Sequence, residues 1–207
     1  MDKEDFKHKL VLSLVIAFLV LFPHFVPLPF YSYAIICLVV AVFYLAKLNK
    51  TLRNIGLKRR GLTAQTFIVG VLSALFLIAF NKWIYHPFIT HFFVVQPYTE
   101  YYFIRNNVSN LFITIIAAWT IAGFYEEIIF RGFIQTNLHE WFKKYKYSFW
   151  LAGFLTSFLF GLYHWQQGVF GIIPSFLGGL CGLTCYRDSK ETCGIRLFHM
   201  RYMIQLH

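Results

Sequence analysis

Six apolar runs separated by short polar connections constrain this chain more than anything else in it. They cover approximately residues 10–28, 31–47, 65–85, 108–129, 148–165 and 168–186. A helix needs about 20 mainly apolar residues to cross the hydrocarbon of a bilayer, and it satisfies its backbone polar groups internally. The runs therefore predict an all-α fold, a polytopic transmembrane helical bundle. Composition agrees. The 207 residues are 58% hydrophobic and 14% charged, whereas a soluble domain carries about 25% charged residues. A soluble all-α protein is the competing reading, and this hydropathy disfavours it. Pro23, Pro27 and Pro29 predict an early end to the first run. No small-residue cleavage site follows that run, so it does not read as a removable signal.

The net charge of +10 would suggest nucleic acid in a soluble protein. Here its placement matters more. With the N-terminus inside, the inner segments are 1–9, 47–64, 130–147 and 187–207, and they hold 17 of the 19 basic residues. Only Lys82 and Arg105 fall outside them. This asymmetry predicts a cytoplasmic N-terminus in a bacterial-type cell membrane. The partner it implies is the bilayer, with no role for nucleic acid. The aromatic 86–107 connection, with Phe92, Phe93, Tyr98, Tyr101, Tyr102 and Phe103, reads as an interfacial belt. Cys37, Cys181, Cys185 and Cys193 show no two-plus-two metal spacing and read as small packing residues. Gly178 and Gly182 form a small-xxx-small pair, which predicts close helix packing.

Two adjacent acids, Glu126 and Glu127, close the fourth run and precede Arg131. An acid at mid-bilayer costs about 2.5–3.5 kcal/mol, so two together need a reason. Glu127 and Arg131, four apart on a helix, share a face and are expected to pair. Glu126 lies about 100° around the helix, without that partner and free to take a proton as a general base. A lone imidazole, His164, closes the fifth run in Phe160-Gly161-Leu162-Tyr163-His164. Simple counting puts Glu126 and His164 at opposite ends of neighbouring helices, so they meet only if one helix is shifted. A terminal acid pair is also a common interfacial anchor, and a lone histidine a common interhelical hydrogen-bond donor. His86, His91 and His139 fall in connections or at run ends and read as non-functional.

In this order and spacing, EExxxR followed by FxxxH resembles the CAAX-protease and bacteriocin-processing family of intramembrane endopeptidases, which includes the Abi or self-immunity proteins. The likeness covers roughly residues 108–190. It implies about eight helices around a cavity open to the cytoplasm, of which about six spans are present here. It also implies peptide-bond hydrolysis near the membrane surface. Glu126 and His164 fall where the family activates a water molecule. Glu127, Arg131 and Phe160 fall on its supporting positions. Members are described both with and without metal. A divalent ion such as zinc, held by Glu126 and His164, and a metal-free mechanism both remain open, because two ligands are too few to argue a metal.

The family's third motif, a histidine followed four residues later by Asn or Asp, is missing as written. His199 is followed by Met203. Residues 1–190 read as one transmembrane domain and 191–207 as an aberrant polar tail. Reading the tail one base earlier permits an NLW…H…D string, and the single Met codon at 203 forces its Asp. The expectation is a frameshift after Lys190, with weak or no activity in this form. Two other functions fit the same residues. One is a non-catalytic immunity or partner-binding protein, and the other is a small transporter using Glu126 and His164 as a proton relay.

Overall fold

The structure, a computed structural model, describes residues 3–26, 32–55, 64–94, 99–117 and 123–188. These are helical throughout apart from short connections, with no strand among them. The chain runs α1 (Lys3–Phe25), α2 (Ser32–Lys47), α3 (Ala64–Phe80), α4 (His86–Thr90), α5 (Val108–Ala117), α6 (Gly123–Glu126), α7 (Gln135–Trp141), α8 (Ser148–Tyr163) and α9 (Val169–Asp188). Two wider π-helical stretches, Asn81–Tyr85 and Glu127–Ile134, join α3 to α4 and α6 to α7. Each therefore makes one continuous helix of three parts. The 191–207 tail, its proposed frameshift, and Pro27 and Pro29 lie outside the described residues.

Helix ends follow local chemistry. α2 stops where Asn49 enters the left-handed region at φ 54°. There the Lys50 N–H donates to the Leu45 carbonyl at 2.9 Å and the Asn49 N–H to the Ala46 carbonyl at 3.0 Å. That nested pair satisfies the carbonyls a helix end leaves open. The Asn107 side chain accepts the Asn110 N–H at 3.0 Å and caps α5. Pro23 does not end α1, which continues to Phe25. A proline cannot bond the carbonyl four residues earlier. That carbonyl, on Leu19, accepts instead from the Tyr125 hydroxyl, a long contact at 3.5 Å.

The core brings together α1, α2, the 123–141 helix and α8 through residues such as Leu19, Cys37, Ile129, Phe130 and Ala152. A smaller cluster joins Tyr85 and Ile89 to Phe170 at the start of α9, where the Tyr85 hydroxyl donates to the Val169 carbonyl at 2.7 Å. α8 and α9 form the most extensive helix pair. Their closeness depends on glycine: a Cβ on Gly153 would stand 2.4 Å from the Leu183 side chain. The outward faces are apolar, with Leu14, Ile35, Val39, Phe43, Phe76 and Phe112 exposed.

Five of the six apolar runs correspond to helices close to their expected bounds. The fourth run, 108–129, does not. α5 is described over Val108–Ala117, and the helix described from Gly123 runs past residue 129 to Trp141. Residues 130–141 were expected to be an inner connection, but they are helix, largely buried as far as Leu138, and Arg131 leaves the count of loop cations. Among the described residues, α1 alone is long and apolar enough to cross a membrane by itself. α2, α5, α8 and the 169–183 part of α9 are shorter apolar helices.

Candidate active site

The position of the acid pair follows from that corrected helix. Glu126 lies fifteen residues before the helix end at Trp141, so the acid pair does not close the helix. The helix then descends to Trp141, turns through 142–147, and α8 returns antiparallel to Tyr163. Glu126 and His164 are thereby brought to the same end of the helix pair. The mismatch anticipated from counting came from misplacing where the fourth helix ends, at 129 and not at Trp141. Glu126 Oε1 lies 4.0 Å from His164 Nε2, and both side chains are largely buried.

The wide turn starts at Glu127. Its closing bond, from the Gln135 N–H to the Phe130 carbonyl, spans five residues instead of four. Such π-turns insert one extra residue into a helix and recur at functional sites. Seven of its eight residues are buried, Glu127 and Arg131 among them. The Arg131 guanidinium donates to the Gly179 carbonyl of α9. A Cβ on Gly182 would stand 3.1 Å from the same guanidinium. The α9 glycines thus make room for a buried charge as well as for a neighbouring helix.

His164 is fixed from behind. It terminates α8, its backbone N–H donating to the Gly161 carbonyl at 3.0 Å. Its ring Nδ1 lies 3.0 Å from the Phe160 carbonyl. A carbonyl only accepts, so Nδ1 carries the proton and Nε2 presents a lone pair toward Glu126. The Phe160 ring stands edge-on to the imidazole, centroids 4.7 Å apart. Phe160 therefore supports His164 through both backbone and ring. Glu126 Oε2 is buried without a protein hydrogen bond.

Sequence reasoning missed His24. Its ring packs edge-on against Tyr163 and Trp165, centroids 4.9 and 5.6 Å away, and its Nε2 is buried without a hydrogen bond. A histidine directly after Pro23 inside an apolar run was the available signal. His86 packs at a tilt on Phe170, and His91 and His139 pack edge-on against Phe92 and Phe149.

A catalytic zinc takes three protein ligands plus water. Among the described residues, no third His, Cys, Asp or Glu joins Glu126 and His164 to form a metal-holding group. The described donor set does not fit such a centre. What the pair can do is hold a water molecule between two bases. Oxygen at about 2.8 Å from each atom subtends roughly 90° between them, close to the angle of water itself.

A buried acid facing an oriented imidazole on an all-helical scaffold is an arrangement able to perform acid–base chemistry on water. Residues 108–203 match the family model described as type II CAAX prenyl endopeptidase Rce1-like, and this match supports the CAAX-protease family, a family of membrane-embedded proteases. No curated protein and no solved structure matches the chain.

Proposed function

We propose that this protein is an intramembrane endopeptidase that hydrolyses a membrane-proximal peptide bond of a membrane-anchored or hydrophobic peptide. The exposed apolar faces of α1, α2, α3 and α5 support a transmembrane bundle, since a water-facing surface rarely shows contiguous apolar area on this scale. The single observation that carries the chemistry is the 4.0 Å approach of Glu126 Oε1 to His164 Nε2 in a buried site.

In this reading Glu126 is the general base and His164 its partner in holding the water. Water attacks the scissile carbonyl carbon and its proton passes to the Glu126 carboxylate. The tetrahedral oxyanion collapses, the C–N bond breaks, and Glu126 returns the proton to the leaving amine. Glu127, Arg131 and Phe160 hold the pair in place. Met203 cannot serve where the family has an Asn or Asp, and a missing oxyanion donor commonly costs about 10²–10³ in rate.

The test is cleavage of a fluorophore-labelled, membrane-anchored peptide by the full chain in liposomes. Glu126→Gln and His164→Ala should each lower the rate by about 10²–10⁴-fold. Glu140→Gln, exposed in the last turn of α7, should not change it. Cleavage that survives both site substitutions would overturn the assignment.

A further inference from the structure

A cavity of about 730 Å³ lies between α1, α7 and α8. Ser13 and Trp141 line one end, His24 and Trp165 the other, with Ala17 and Leu159 among the walls between. Neither Glu126 nor His164 belongs to its lining. From Ser13 to His24 is eleven residues of helix, or about 16 Å. That matches the ~15 Å half-thickness of a bilayer's hydrocarbon core.

The Ser13 end is rimmed by cations. Lys9 Nζ sits 5.9 Å from the centre of the Trp141 ring and pairs with Asp5 at 2.8 Å. Lys144 is close enough to act on the same Asp5. Lys143 and Lys146 are exposed on that turn. An apolar trough one leaflet deep, with tryptophan and lysines at its mouth, has the polarity of a lipid standing in its leaflet. The cations stand at the end of α8 remote from the dyad, so the charge complementarity favours a lipid headgroup over the scissile part of a substrate.

We propose that this groove binds an anionic phospholipid, one acyl chain lying along α1 and the phosphate held by Lys9 and Lys144. The proposal rests on the membrane-spanning reading and is independent of peptidase chemistry.

The experiment is lipid titration of the purified full chain in neutral detergent, read by native mass spectrometry. The probes are phosphatidylglycerol and phosphatidylcholine of identical chains. Each lysine should contribute about fivefold, so phosphatidylglycerol should bind roughly 25-fold more tightly. Lys9→Gln with Lys144→Gln should erase that preference and leave phosphatidylcholine binding unchanged, which also reports that the variant is folded. Asp5→Asn releases Lys9 and should raise the preference. Ala17→Phe fills the trough and should weaken both lipids at least about tenfold. Equal affinities for the two lipids in the unsubstituted chain, a preference that survives loss of both lysines, or an Ala17→Phe variant that binds normally would each overturn the proposal.

Discussion

The Gly179 carbonyl accepts from the Arg131 guanidinium, and glycine at 182 leaves room for that side chain. The two glycines are nonetheless unequal. A Cβ at Gly179 would stand 2.7 Å from the Ser157 Cβ and 3.0 Å from its Cα, so the α8 backbone itself must move. A Cβ at Gly182 meets only the far end of Arg131, at 3.1 Å. Gly179→Ala should therefore cost about 1–3 kcal/mol, as overpacking does, and Gly182→Ala less than about 1 kcal/mol. Denaturant unfolding in detergent micelles measures both, and the reverse order would show that Arg131, not α8, is the rigid partner. At this scale the sequence singled out Glu126 and His164, but counting placed them at opposite helix ends, and the structure puts them 4.0 Å apart. The sequence could not say that the glycines flank a charge, because a small residue reads alike whether it faces a helix or a guanidinium. His24 stayed hidden for a similar reason: one imidazole in an apolar run carries no periodic signal.

Helices α1, α2, α8 and α9 were legible because hydropathy reports faces turned away from water. The Gly123–Trp141 helix was not. It carries Arg131, Gln135, Asn137 and Glu140, and the first three are buried. A hydropathy average treats such residues as exposed, so burial inside protein looks like a loop. The π-turn was equally invisible, since its inserted residue leaves the apolar spacing intact over so short a stretch. One relation between elements was half legible. Pro23 announced an orphaned carbonyl four residues earlier, but only the structure supplies its partner, Tyr125. A double-mutant cycle tests that account. Tyr125→Phe should cost about 0.5–1 kcal/mol more in the native chain than in a Pro23→Ala background, because the alanine restores an N–H for the Leu19 carbonyl. Tyr125 also stands beside Cys37 and Tyr163, and the cycle cancels any loss shared with them. No coupling between the two substitutions would mean that water or strain, not the phenol, settles the Leu19 carbonyl.

For the whole molecule, the corrected helix changes where the dyad stands relative to the charges. The Lys143–Lys146 turn and the dyad lie at opposite ends of α8, about 24 Å apart along its sixteen residues. If basic connections face the cytoplasm, the Glu126–His164 end lies toward the other face, whereas the family likeness implies a cavity open to the cytoplasm. Both cannot hold without a deep aqueous path. Site-directed labelling separates them. In a background with Cys37, Cys181, Cys185 and Cys193 replaced by alanine, Lys144→Cys and Gln166→Cys place single thiols on exposed residues at the two ends. The charge pattern predicts that an impermeant maleimide labels position 166 in intact cells and position 144 only after permeabilisation. The opposite result would reverse the orientation and place the dyad beside the cytoplasm. A third variant, Glu126→Cys, then reports the path itself. If water reaches the dyad from its own end, this buried thiol should label from the same side as position 166, more slowly because its helix neighbours shield it. Labelling of position 126 from the side of position 144 would instead require a channel along the helices from the basic face.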